Sequence, residues 1–166
     1  MENAIISAVT HDTSEAKMTV SGVPDQPGVA AKLFRSLADA DVNVDMIVQN
    51  VSDAGATDIS FTLPHDQVLA ATTTVDALVA EIGAKGVVTD TGIGRVSLTG
   101  AGMQTNPGVA ATMFETLSTS GINIEMISTS AIRISCVVRE DQAELAVTVL
   151  HAAFELDRAP ADRSDI

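Results

Sequence analysis

Two passages of this 166-residue sequence open with the same five residues, Pro-Gly-Val-Ala-Ala, at Pro27 and at Pro107. Such a start has defined chemistry. The first N–H groups of a helix have no intrahelical partner and sit at the positive end of the helix dipole, so together they receive a carboxylate. Gly28 carries no Cβ, which lets a ligand approach the backbone closely. Asp25 stands in the loop just before Pro27, where it can meet the ammonium of an amino acid. Asn43 and Asn123 follow later in the two passages, each with an amide that offers donor and acceptor together. These partners suit a free amino acid enclosed where two units meet, the loop of one facing the strand of the other. The plainer alternatives are an ordinary helix start, a dipole-favouring charge at Asp25, and asparagines that merely begin strands. Repetition at equivalent positions favours binding.

The elements that must position these residues are themselves repeated. Pro27–Ile47 and Pro107–Ile127 align without a gap, identical at ten of twenty-one positions. Alternating strands precede them at 16–23 and 94–101, with Met18 and Val20 on one face and Lys17 and Thr19 on the other. Proline fits the first helical turn because its missing N–H has no partner there. Val29, Ala30, Leu33, Phe34 and Leu37 form an apolar stripe at helical spacing, matched by Val109, Ala110, Met113, Phe114 and Leu117. Asp41 and Gly121 mark the helix ends. Second strands are expected at 42–51 and 122–131, third strands at 57–63 and 132–138, and second helices at 66–82 and 140–154.

The first copy closes with a strand at 86–90, whereas the second has no final strand of its own. The unclaimed strand 3–11 supplies it if the first unit is inserted into the second, since closing the longer loop costs little additional entropy. The predicted fold class is therefore α+β: two ferredoxin-like βαββαβ units of antiparallel sheet with helices on one face. Their expected bounds are 15–92 for the first and 3–14 with 93–156 for the second, followed by a flexible tail at 157–166. Exposed sheet edges and two half-sites per chain predict a homodimer of the isolated chain.

Composition excludes other classes. A net charge of −13 with no Trp or Tyr and four Phe repels phosphate backbones and offers no base-stacking surface, so nucleic acid and anionic membranes are poor partners. No apolar run reaches membrane-spanning length, and Met1-Glu2-Asn3 lacks the basic start of a secretory signal, which predicts a cytoplasmic protein. Cys136 lies in an apolar run and reads as a buried thiol. His11, His65 and His151 have no companions at metal-ligand spacing, and Ser128, Thr129 and Ser130 lie at a strand end rather than a strained nucleophile turn. Met46 and Met126 read as packing residues. The Gly-Ala-Gly at 100–102, with Glu125 downstream, imitates a dinucleotide fingerprint, but the glycines precede the helix by several residues and the chain is too short for a doubly wound sheet. Neither a metal nor a catalytic residue is expected.

The strand, the Pro-Gly-Val-Ala loop, the amphipathic helix and the ensuing "VDMIVQN" and "IEMISTS" together resemble the tandem ACT domains of the aspartate kinase (aspartokinase) regulatory region. The resemblance covers about residues 4–156. It implies an allosteric module without catalytic activity that binds an end-product amino acid, threonine with or without lysine, at ACT–ACT junctions and mediates feedback inhibition. It places a first effector site on Asp25, Gln26, Pro27, Gly28, Val29 and Ala30, with Asn123, Ile124 and Ser130 from the other repeat. A pseudo-equivalent second site would use Asn106, Pro107, Gly108, Val109 and Ala110 with Asn43, Val44 and Gln49. The second loop is two residues longer and has no carboxylate matching Asp25, which weakens its case as an amino-acid site. No kinase half precedes these residues, so the resemblance implies a separate β subunit that partners a catalytic α subunit, or a regulatory fragment of a longer kinase. No cofactor is implied beyond the amino-acid effector. The alternative is a purely structural ACT dimerisation module with vestigial sites.

Overall fold

The computed structural model describes residues 5–51, 54–159 and 162–163. Eight strands and four helices follow in order: β1 (Ile5–Asp12), β2 (Glu15–Pro24), α1 (Val29–Asp39), β3 (Ile47–Gln49), β4 (Ala56–Pro64), α2 (Val68–Ile82), β5 (Gly86–Asp90), β6 (Ile93–Ala101), α3 (Gly108–Thr119), β7 (Met126–Thr129), β8 (Arg133–Arg139) and α4 (Ala143–Ala153). The chain divides into two compact units, Ser14–Thr91 and the residues up to Thr13 together with Gly92 onward.

In the first unit the strands run β3-β4-β2-β5, and in the second β1-β6-β8-β7, with every pairing antiparallel. Each unit is thus βαββαβ, and β1 takes the fourth place in the second sheet, as the insertion required. The sheet position of β1 is held in register from Ile5 opposite Ala101 to Asp12 opposite Arg95, with a bulge between Ile6 and Ala8. Asn3 and Ala4, the start of the expected strand, lie outside the described residues.

Each unit has its own core, because alternate strand residues and one stripe of each helix converge on one sheet face. In the first, Leu33 and Leu37 of α1 and Ala71, Val75 and Leu78 of α2 cover Met18, Val20, Ile59 and Phe61. Phe34 meets Phe61 edge-on, with centroids 5.7 Å apart. In the second, Val109, Met113 and Leu117 of α3 and Ala146 and Leu150 of α4 cover Val96, Leu98 and Cys136. Full burial of a leucine of this kind contributes about 1.5–3 kcal/mol.

Two expectations need correction. The second strands are much shorter than 42–51 and 122–131, reduced to β3 and β7. In the first unit the Thr62 hydroxyl accepts the Met46 N–H at 3.0 Å just ahead of β3, and Asn43 and Asn123 lie in connectors ahead of the strands. Pro27 is also not in the first helical turn. Gly28 precedes α1 as a left-handed residue with φ 91°, and the helix starts at Val29. In the second copy Pro107 caps the helix and Gly108 is its first residue.

The segment expected as a tail is partly anchored. Arg163 donates from Nη1 to the Ile6 carbonyl at 2.5 Å and from Nε to the Arg158 carbonyl at 3.0 Å. The first of these bonds satisfies a carbonyl on the outer strand β1, one way of blunting a sheet edge.

Candidate functional site

The first loop is short and open. The Asp25 N–H donates to the Gly55 carbonyl at 3.0 Å and the Gln26 N–H to Pro24 at 2.9 Å, a three-residue turn that leaves the Asp25 side chain exposed. Gln26, Pro27 and Gly28 are exposed as well. A Cβ on Gly28 would meet nothing within 4 Å, so glycine is required by its positive φ rather than by crowding. Among the described residues the Gly28 N–H has no hydrogen-bond partner. Val29 and Ala30 pack at the margin of the first core, and the Val29 N–H donates to the Gln26 carbonyl at 3.4 Å.

The second loop uses its two additional residues to fold inward. Met103–Thr105 form a 3₁₀ turn after Gly102, whose φ is 72°, and Met103 is buried in the second core. Asn106 then accepts the Gly108 N–H on its own Oδ1 at 3.3 Å. Val109 is fully within the core and Ala110 lies against it. The two glycines that imitated a nucleotide fingerprint have structural roles. Gly102 supplies the left-handed turn, and a Cβ on Gly100 would come within 2.5 Å of the Ile5 carbonyl oxygen.

The connectors differ in the same sense. The Asn43 N–H donates to Gln67 Oε1 at 2.6 Å. In the second unit the corresponding glutamine, Gln142, instead donates from Nε2 to the Gly121 carbonyl at 3.3 Å. The Asn123 N–H has no partner among the described residues. Asn43 and Asn123 are both exposed, whereas Val44 and Ile124 are half-buried against their cores. Asn123 and Ile124, with Phe114, Ser118, Gly121 and Ile122, line an open depression of about 490 Å³. Gln49 is exposed on β3. Ser130 closes the turn between β7 and β8, its N–H bonded to the Arg133 carbonyl at 2.8 Å and its hydroxyl accepting the Ile132 N–H at 3.4 Å.

Sequence reasoning missed Gln67 and Gln142. Both occupy the last position of a 3₁₀ turn that leads into the second helix, His65–Gln67 and Glu140–Gln142. The shared Asp-Gln before each helix was the signal available. Cys136 is fully buried, and burial pushes its thiol up to about 12, which leaves it protonated and unreactive at neutral pH. Among the described residues no group of His, Cys, Asp and Glu is arranged to hold a metal ion, and no helix is long and apolar enough to cross a membrane.

The ACT domain family model matches residues 18–78 and 96–154, one match in each unit. An aspartokinase of Mycolicibacterium smegmatis is 52% identical over 158 residues, which cover 94% of this chain and 38% of that protein. The chain therefore spans about two fifths of the length of such relatives. The crystal structure of aspartokinase alpha and beta subunits superposes with a TM-score of 0.86 at 42% identity, covering 92% of this chain and 100% of that one. The ligand-free regulatory subunit of aspartate kinase from Thermus thermophilus matches with a TM-score of 0.84 at 37% identity, covering 92% and 99%.

Proposed function

The chain belongs to the ACT-domain family, in the branch of aspartokinase regulatory regions, and on that premise we propose that it senses a free amino acid for an aspartate kinase. The proposed ligand is an end product of the aspartate family, threonine with or without lysine, bound at ACT–ACT junctions and exerting feedback inhibition. The catalytic (α) subunit, or the kinase portion of a longer chain, performs the phosphotransfer from ATP to aspartate. The isolated regulatory chain is proposed to be a homodimer without turnover.

One observation carries this reading. On the first loop an exposed carboxylate at Asp25 and a Gly28 N–H with no partner among the described residues stand three residues apart. They are the two partners that a zwitterion needs, ahead of a helix whose dipole favours the carboxylate end. Gln26, Pro27, Val29 and Ala30 complete the loop side of the proposed site, and Asn123, Ile124 and Ser130 the connector side. Coupling between ligand and kinase of about 1–3 kcal/mol is sufficient for such regulation.

Calorimetry of the chain against threonine, lysine, methionine and isoleucine at millimolar concentration tests the proposal. Saturable heat with threonine or lysine is expected, and silence with all four would remove it. Thermal unfolding gives a second reading, since a ligand at a hundred times its Kd adds about 2.7 kcal/mol to the native state. A flat response from intact dimers would instead support the structural dimerisation module.

A further inference from the structure

We propose that the first unit carries a further small-molecule site at the bulge of β2, sharing no residue with the effector sites considered above, and that it takes a zwitterion. Between Val20, opposite Ile59, and Val23, opposite Thr57, the register of β2 on β4 shifts, so that Ser21 and Gly22 together stand against Asp58. Two residues facing one is a bulge, which bends the strand and re-aims side chains. Gly22 takes φ 62° and its N–H donates to Asp58 Oδ1 at 3.0 Å. One oxygen of that carboxylate is thereby fixed, and the other has no partner among the described residues.

The stem of Lys85 lies across the bulge. A Cβ on Gly22 would come within 2.5 Å of Lys85 Cγ and 2.7 Å of its Cδ, so glycine is needed here for room as well as for its φ. The Lys85 N–H donates to the Ser21 carbonyl at 2.8 Å, which fixes the root of the side chain. Asn50 and the buried Thr57, whose hydroxyl donates to the Asn50 carbonyl, join Ser21, Gly22, Asp58 and Lys85 around a depression of about 480 Å³. Two opposite charges thus border one space and do not meet. Among the described residues the Lys85 ammonium makes no ion pair with Asp58 or with any other carboxylate. The net charge of −13 repels a simple anion, and a simple cation leaves Lys85 unmatched. A molecule carrying both charges, carboxylate toward Lys85 and ammonium toward Asp58, satisfies both with charge-assisted hydrogen bonds.

The second unit lacks this arrangement. Gly100 holds the place of Gly22 in the repeat, yet β6 keeps its register on β8 through Leu98 opposite Ile134 and Thr99 opposite Arg133. Arg133 stands where the first unit has Asp58, and the backbone of Ile5 and Ile6 fills the ground that Lys85 covers in the first. The bulge is therefore specific to the unit that has the two charges.

The test is NMR on the full-length chain, titrated at millimolar concentration with glycine as the smallest zwitterion, and separately with acetate and methylammonium, which carry one charge each. Glycine should give saturable shifts at the Gly22 and Asp58 amides and at the Lys85 side chain, and neither single ion should reproduce them. Lys85→Met keeps the stem over Gly22, and Asp58→Asn keeps an acceptor for its N–H, so both variants retain the bulge. Each should weaken glycine binding roughly tenfold, the loss expected for one charge-assisted contact. Silence at Gly22 and Asp58, equal shifts with acetate, or unchanged binding in both variants would overturn the inference. It stands apart from the effector reading: shifts confined to the Gly28 and Asn123 amides would sink the bulge site alone, and shifts at Gly22 and Asp58 would support it whether or not threonine or lysine gives heat.

Discussion

Gly28 and Gly108 hold the same place in a repeated pentapeptide, yet the first turns left-handed ahead of its helix and the second is the first residue inside one. The cause lies upstream. Copy one reaches its helix from Pro24 through a three-residue turn, while copy two inserts the Met103–Thr105 turn and Asn106 accepts the Gly108 N–H ahead of the Pro107 cap. The connectors repeat the contrast, with the Asn43 N–H tied to Gln67 and the Asn123 N–H without a partner among the described residues. One unit thus presents an open loop with a closed connector, and the other a closed loop with an open connector. The lesson is that five identical residues do not fix a helix start. Hydrogen bonds from neighbouring turns decide which backbone donors stay unpaired among the described residues.

The largest predicted difference between the units is in alkaline stability. Cys136 lies in the second unit, all three lysines (Lys17, Lys32 and Lys85) lie in the first, and the chain has no tyrosine. The unfolded thiol loses its proton near 9.0 while the folded one holds it to about 12. Above pH 9 the unfolded state therefore binds fewer protons, and stability present below pH 9 is lost as pH rises, by up to about 1.4 kcal/mol per pH unit. Urea unfolding at pH 8 and pH 10.5 should show this loss in the wild type and not in Cys136→Val. The same slope in both proteins would contradict the assignment.

Next comes the close approach at Gly100. Its Cβ would press on the Ile5 backbone, whereas that of Gly22 would press on the Lys85 side chain, with φ 62° at Gly22 as an additional strain. Gly100→Ala should cost about 2–3 kcal/mol through overpacking and Gly22→Ala about 1–2 kcal/mol through its backbone, both read from denaturant midpoints. The helix starts should then separate by sign of strain. Gly28→Ala should cost about 1–2 kcal/mol, while Gly108→Ala, in helical backbone, should stay within about 1 kcal/mol of the wild type. The smallest effect concerns the helix ends, where Asp41 holds φ 57° in the position that Gly121 fills at φ 71°. Asp41→Gly should stabilise by about 1 kcal/mol, since glycine relieves the left-handed strain. A loss on that substitution would show that the Asp41 side chain contributes something beyond its backbone.

Much of this architecture could be read before any coordinates. The apolar stripes from Val29 to Leu37 and from Val109 to Leu117 gave helices, and the missing fourth strand of the second copy pointed to β1. The lengths of β3 and β7 were not readable, because alternation reports which side chains are buried and not which N–H groups reach a ladder. Thr62, sixteen residues from Met46, intercepts that N–H with its hydroxyl. The chemistry proposed for Asp25 and Gly28 rests on residue type and order. Which donors stay open was not readable from these, because that depends on Gln67 and Asn106, and the end of an amide that bonds is set by the tertiary neighbour it meets.

Threonine calorimetry of Asp25→Ala beside Asn106→Ala tests the central claim most directly. A charge-assisted contact in a closed pocket is worth roughly 1.5–3 kcal/mol, so Asp25→Ala should weaken binding by about ten- to a hundredfold. Its fold should be intact, since an exposed helix-start charge contributes only about 0.3–1 kcal/mol. Asn106→Ala should bind threonine as the wild type does. In the complete kinase only the Asp25 change should relieve inhibition. Equal losses from the two substitutions, or full affinity in Asp25→Ala, would contradict the account.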